Sequence, residues 1–284
     1  MTALLAIEPV RLELNTKPDQ SQQMTQPHKI ALVTGAAKRL GQQIALDLAR
    51  SGWDIIVHYG SSAAMAEETA TQIRQLGRRA VTLQADLADE AQVNGLLTRC
   101  QAALGLPDCI VNSASLFAYD TASDFTFGQL ERHMTVNAAA PVALARDLHR
   151  ARSLIAATQR SSHPAVVINL LDQKLANPNP DFLSYTLSKA ALLEATTLLA
   201  QALAPLVRVV GLAPGITLVS GDQSANSFEH SHKMTPLGRS STPEDIGAAV
   251  VYLASAHAIT GTTLYVDGGQ HLQPSERDVM FLTS

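Results

Sequence analysis

Tyr185 and Lys189 stand four residues apart in the stretch Leu183 to Ala204, which reads as a helix. At that spacing both side chains share one helix face. A phenol ordinarily titrates near ~10. A nearby ammonium favours the phenolate and lowers that value. The pair could then deliver or accept a proton near neutral pH. Taken alone the spacing proves little, because Tyr/Lys pairs arise often on amphipathic helices. A second set of residues follows the apolar run Lys29-Ile-Ala-Leu-Val-Thr34, namely Gly35-Ala-Ala-Lys38-Arg39-Leu40-Gly41. Gly35 allows a tight turn, Gly41 lets a helix approach a sheet, and the N–H groups at the helix start can hold a pyrophosphate. The next predicted strand ends in His58-Tyr59-Gly60-Ser61-Ser62. A carboxylate at that end would bind a ribose 2′-hydroxyl, and none is present. Lys38 and Arg39 supply cations and Ser61 and Ser62 hydroxyls, which suit a 2′-phosphate. This set points to NADPH, against the plainer reading of an ordinary turn with a solvated Lys/Arg pair.

These residues need a scaffold, and the hydrophobic pattern supplies one. Predicted strands cover 29–34, 54–58, 80–84, 108–112, 165–170, 206–212 and 263–266. Predicted helices cover 42–51, 63–76, 89–104, 127–153, 183–204 and 243–254. The strands are nearly continuous Val, Ile, Leu and Ala, as expected when helices cover both faces of a parallel sheet. The fold class is therefore α/β, a Rossmann-type doubly wound parallel sheet of about seven strands. In such a sheet ligands bind beyond the carboxyl ends of the strands. Neither a repeat nor a linker divides the chain, so residues 29–284 read as one domain. Residues 1–28, rich in Gln, Pro and Thr, read as a flexible tail. Residues 216–239 are polar and aperiodic, the pattern of a lid-like loop.

Composition excludes several other roles. The chain has 284 residues, 46% hydrophobic, with a net charge of −4 and no long basic run. A nucleic-acid surface would need clustered Lys and Arg. No apolar run approaches the ~20 residues that span a bilayer, so no membrane partner is expected. The patch Ala3 to Ile7 lacks the basic leader of a signal peptide. Cys100 and Cys109, without CxxC spacing, suit reduced thiols in a cytoplasmic protein. His230 and His232 lie beside Glu229 but form no HxxxH or HExxH pattern, so no metal site is expected.

In order and spacing, several motifs resemble the short-chain dehydrogenase/reductase family. They are Thr34-Gly35-x-x-x-Arg39-x-Gly41, Asp86-Leu87, Asn112-Ser113-Ala114-Ser115, Asn137, Tyr185-x-x-x-Lys189, Pro214-Gly215 and Asp267-Gly268-Gly269. The resemblance spans about Lys29 to Leu272. Arg39, where most members have Gly, looks like the pteridine reductase branch, as do His58-Tyr59 and Ser115-x-Phe117. The resemblance implies that Asp86 and Leu87 lie near the adenine. It puts Asn112 and Ala114 along the cofactor, and Pro214 and Gly215 close to the nicotinamide. It gives Asn137 the support of a proton-relay water, and Lys189 the nicotinamide ribose. Ser113 stands where Asn is commoner. Similar proteins pair their long helices into homotetramers.

One departure bears on the chemistry. Most family members carry Ser thirteen residues before the Tyr, where it donates to a substrate carbonyl. Here that residue is Asp172. An ionised Asp cannot donate, and its charge repels a developing alkoxide. It suits a substrate with ring nitrogens and N–H groups, and pteridine reductases resemble this chain in carrying Asp there. Phe117 could stack on a flat heterocycle, with Ser115 beside it, or could equally be a core aromatic. The expectation is an NADPH-dependent reductase acting on a C=N bond of a pterin or a dihydropterin- or dihydrofolate-like small molecule, with Asp172, Tyr185, Lys189 and Asn137 as its working residues. The alternatives are a ketone or alcohol oxidoreductase of the same family, or a non-catalytic NADPH-binding scaffold with a degenerate Asp172.

Overall fold

The computed structural model describes residues 28–156, 158, 163–219, 228–229 and 232–281. Seven parallel strands form one sheet in the order β3-β2-β1-β4-β5-β6-β7. They are β1 (Ile30–Val33), β2 (Asp54–Tyr59), β3 (Ala80–Gln84), β4 (Cys109–Asn112), β5 (Ala165–Leu170), β6 (Val207–Pro214) and β7 (Thr263–Val266). The chain builds outward from β1 to β3, then returns to place β4 on the other side of β1. That reversal opens a crevice beyond the carboxyl ends of β1 and β4.

The helices are α1 (Arg39–Arg50), α2 (Ala63–Gln75), α3 (Glu90–Ala103), α4 (Phe127–Met134), α5 (Ala140–Ser153), α6 (Leu183–Ala202) and α7 (Pro243–Ser255). Strand side chains alternate between two cores. Val33, Ile55, Val57, Val111 and Ile168 pack with Ile44 and Leu48 of α1, Ile73 of α2 and Val250 of α7. Leu32, Ile56, Ile110 and Val167 pack with Leu96 of α3, Leu144 and Leu148 of α5 and Ala200 of α6. Each large aliphatic side chain buried this way contributes about 1.5–3 kcal/mol. Local signals start the helices. Asp89 accepts from the N–H groups of Ala91 and Gln92 at the head of α3. Thr242 and Asp245 form a reciprocal capping box at the head of α7, with Pro243 in its first turn.

Two differences from the sequence-based boundaries matter for the site. The helix expected over 127–153 is interrupted by a π-helical turn, Thr135–Ala139, which carries Asn137. Helix α1 begins at Arg39, three residues before the expected start. Residues 1–27 of the expected tail lie outside the described residues; the first described residue, His28, places its Nδ1 3.3 Å from Asp54 Oδ2. Of the expected lid, residues 220–227, 230 and 231 also lie outside them, His230 included. His232 Nδ1 lies 3.1 Å from the Ile216 carbonyl oxygen. No described helix is long and apolar enough to cross a membrane.

Candidate active site

A cleft of about 580 Å³ runs along the carboxyl ends of the central strands. Its first wall is the turn between β1 and α1, where Gly35, Lys38, Arg39, Leu40 and Gly41 all line it. Gly35 has φ +66°, and a Cβ there would press on Ala114 Cα. A Cβ on Gly41 would collide with the Gly35 carbonyl oxygen. Turn and helix start are therefore packed as closely as glycine alone permits. Lys38 occupies the N-cap of α1 without capping it by its side chain, so the first-turn N–H groups are left for a ligand. Arg39 adopts φ +56°, a left-handed conformation that costs a side chain of this size about 1–3 kcal/mol. Its guanidinium donates to the Val219 carbonyl oxygen at 2.8 Å.

Several residues expected at the cofactor support this wall or lie beside it. The Gly35 N–H donates to His58 Nδ1 at 3.2 Å, and His58 Nε2 lies 3.1 Å from the Ala85 carbonyl oxygen. A carbonyl only accepts, so Nε2 carries the proton and the imidazole is neutral. Burial pushes its pKa down to about 4. His58 thus braces the turn from inside the protein, and its ring does not line the cleft. Thr34 Oγ1 accepts from the N–H groups of Ser113 and Ala114 at 3.0 and 3.1 Å, joining the ends of β1 and β4. Asn112 donates to Asn169 Oδ1 at 2.8 Å, and Asn169 donates to Thr196 Oγ1 at 3.0 Å, a buried polar chain under the site. Tyr59 packs against the α1-side core. Ser61, Ser62, Asp86 and Leu87 lie outside the cleft lining. Asp86 is exposed and accepts from the Ala88 N–H, while Leu87 is buried.

The second wall carries the chemistry. Asp172 follows β5 at the head of a single 3₁₀ turn, Gln173–Leu175. Its Oδ1 accepts from the Lys174 N–H at 2.9 Å. Helix α6 presents Tyr185 and Lys189 from one face, and the Tyr185 hydroxyl donates to Asp172 Oδ2 at 2.8 Å. Lys189 Nζ donates to the Leu170 carbonyl oxygen at 2.7 Å and lies 5.8 Å from the Tyr185 ring centre. The expected lowering of the Tyr185 pKa by Lys189 does not hold. Burial and the adjoining Asp172 carboxyl instead raise it well above the ordinary value. Burial also raises Asp172 and brings Lys189 down to about 8. Tyr185 is accordingly a neutral phenol whose proton points at a carboxyl group.

Asn137 is buried beside these residues and lies off the cleft lining. Its Oδ1 accepts from the Leu116 N–H at 2.7 Å. Its Nδ2 donates to the Leu116 carbonyl oxygen at 2.9 Å and to Ser188 Oγ at 3.0 Å. The π turn, a deviation often found at functional sites, thus sets a side chain that clamps the loop after β4 to α6. Asn137 is a positioning residue by this geometry. The clamped loop carries Ser115 and Phe117, both lining the cleft. Phe117 is 42% exposed, which decides between the two readings of it: it is no core residue. Its ring stacks on Phe182 at 4.2 Å and meets Tyr185 edge-on at 4.7 Å. Pro214 and Gly215, at the end of β6, close the far side.

Sequence reasoning passed over the segment after β7. Asp278, Val279 and Met280 line the cleft, together with Gln173 and Gln270. The only available signal was a short apolar cluster, Val279-Met-Phe281, after a polar stretch.

The family model described as enoyl-(acyl carrier protein) reductase matches residues 35–271. The crystal structure of FolM alternative dihydrofolate reductase 1 from Brucella canis, complexed with NADP, superposes with a TM-score of 0.80. It shares 38% identity, covering 87% of this chain and 95% of that one. Pteridine reductase 1 of Leishmania tarentolae is 32% identical over 86% of this chain and 96% of its own. At a similar level, 3beta-hydroxysteroid dehydrogenase 1 of Eggerthella lenta is 31% identical over 87% and 95%. The sheet order, the glycine turn and the Tyr185/Lys189 face agree with these matches, and the chain belongs to the short-chain dehydrogenase/reductase family of oxidoreductases.

Proposed function

We propose that the protein is an NADPH-dependent reductase that delivers a hydride to a C=N bond of a pterin, dihydropterin or dihydrofolate-like ring. The observation that carries this reading is the 2.8 Å hydrogen bond from Tyr185 to Asp172 at the floor of the cleft. Reduction of a ketone builds negative charge on oxygen, which a carboxylate alongside would oppose. Reduction of a ring C=N builds no oxyanion. The carbon takes the hydride, the nitrogen takes a proton, and the product is CH–NH. The neutral Tyr185 phenol suits the role of proton donor. Asp172, hydrogen-bonded to it, suits the role of returning that proton from solvent or of holding a ring N–H.

The residues present fit the cofactor. The glycine turn lines the cleft and is packed as closely as glycine permits, and the first-turn N–H groups of α1 suit a pyrophosphate. Arg39 and Lys38, both on the lining, suit a 2′-phosphate. Lys189 spends one donor on Leu170 and keeps others for ribose hydroxyls. When bound, the nicotinamide supplies the hydride. Phe117, on the lining and backed by the buried Phe182, offers an aromatic face to a flat ring.

The likeness to a pteridine reductase and to an NADP-complexed alternative dihydrofolate reductase supports this reading. The second reading, a ketone or alcohol oxidoreductase, draws on the similar steroid dehydrogenase, and Asp172 stands against it. The test is direct. The protein is incubated with NADPH and, separately, a dihydropterin, dihydrofolate and simple ketones, and cofactor absorbance is followed. Consumption with the pterins and not the ketones is expected; the reverse would make the second reading correct.

A further inference from the structure

The C-terminal segment is fastened over the substrate end of the cleft. Arg277 meets Asp181 through two hydrogen bonds, Nε to Oδ2 at 2.8 Å and Nη2 to Oδ1 at 3.0 Å. The Asp278 N–H donates to Asp181 Oδ2 at 2.7 Å. The Phe281 ring lies 5.4 Å from Tyr119 and 6.1 Å from Phe182. These contacts set Asp278 on the cleft lining. Its Oδ2 accepts from Lys174 Nζ at 3.2 Å, and its Oδ1 accepts from the Met280 N–H at 3.2 Å. Each carboxylate oxygen has room for a further donor. Lys174 is 3% exposed and is also held by the Asp181 carbonyl oxygen at 2.6 Å. The cation therefore lies behind the carboxylate, and a ligand in the cleft meets the carboxylate.

The distribution of charge along the lining is one-sided. Its cations are Lys38 and Arg39 on the β1–α1 turn and the buried Lys189 under Tyr185. Among the described residues, the wall formed by Gln173 and the C-terminal segment carries Asp278 and no lining cation. This wall offers the Asp278 carboxylate to whatever substituent the ring carries.

We infer that Asp278 is a specificity-determining residue, accepting a hydrogen bond from an uncharged, donor-bearing substituent of the ring substrate and disfavouring a substituent that ends in a carboxylate. This rests on the reading of the cleft as a pterin site.

The experiment uses the full chain, NADPH and three probes: dihydrobiopterin, with a neutral hydroxylated side chain; dihydrofolate, with a glutamate tail; and dihydrofolate with its carboxylates esterified. The unmodified protein should favour dihydrobiopterin in kcat/KM. Esterification should lower the dihydrofolate KM by roughly fivefold, the scale of one partly screened like-charge contact. Added salt should lower it too. Asp278→Asn, which removes the charge and keeps an acceptor, should remove most of the esterification and salt effects and change dihydrobiopterin kcat/KM little. If esterification changes nothing, or Asp278→Asn scales all three probes by one factor, Asp278 merely fastens the segment and the inference is wrong. Turnover of none of the three, with NADPH still bound, would overturn the pterin reading itself and this inference with it.

Discussion

The Tyr185 hydroxyl and the Asp172 carboxyl are joined at 2.8 Å across thirteen residues of sequence, one on α6 and the other at the end of β5. The two groups differ in what they can lose. Tyr185→Phe removes the proton donor, and positioned proton transfer is typically worth about 10²- to 10⁴-fold in rate. Asp172→Asn keeps a hydrogen-bond acceptor for the phenol and should cost less. Steady-state kcat for the two variants, with NADPH affinity measured alongside, checks this order. An Asp172→Asn enzyme slower than Tyr185→Phe would reverse the roles.

Arg39 holds a left-handed backbone that glycine would adopt without strain. Arg39→Gly should therefore leave thermal stability unchanged or raise it by up to about 1 kcal/mol. The same change should raise the KM for NADPH and barely alter that for NADH, because only NADPH carries the 2′-phosphate. Equal effects on both cofactors would mean that Arg39 does not meet that phosphate.

The sequence made the sheet, the glycine turn and the α6 pair legible because each rests on local pattern. Apolar runs mark buried parallel strands, glycine marks the turn, and a four-residue step marks a shared helix face. What depended on tertiary packing was not legible. Lys189, one helical turn away, predicts from sequence a lowered Tyr185 pKa. In the fold Lys189 Nζ turns to the Leu170 carbonyl oxygen, and Asp172 takes the place beside the phenol. His58 reads from the sequence as a cofactor contact, yet its ring points inward to Gly35 and Ala85. The π turn at Thr135–Ala139 has no sequence signature, and the C-terminal segment reaches the cleft through long-range pairs such as Asp181 with Arg277.

His58 gives a pH dependence of stability. Its folded pKa is about 4, below the ordinary 6.5, so the unfolded chain binds the proton first. Stability is full above pH 6.5 and falls as the pH drops toward 4. The gap corresponds to a loss of roughly 3 kcal/mol at the acid end. Urea unfolding between pH 7 and 4 should show this slope, and His58→Gln should flatten it. An unchanged slope in the variant would place the titration elsewhere.

Phe127 on α4 and Leu187 and Leu198 on α6 stand exposed on the surface. We propose that these helices pair across two-fold interfaces in a homotetramer. Light scattering at micromolar concentration should give four times the chain mass of 30.2 kDa. A monomer mass would refute it.

Asp172→Ser separates pterin reduction from ketone reduction, because it restores the hydroxyl that most of the family carries there while leaving the cofactor wall untouched. The measurement is kcat/KM for dihydrobiopterin and for a simple ketone, in the unmodified protein and the variant, with NADPH affinity determined in parallel. The variant should bind NADPH normally, lose most pterin turnover and gain weak ketone reduction. Intact pterin reduction in Asp172→Ser, or an unmodified protein that reduces the ketone and not the pterin, would contradict the proposed function.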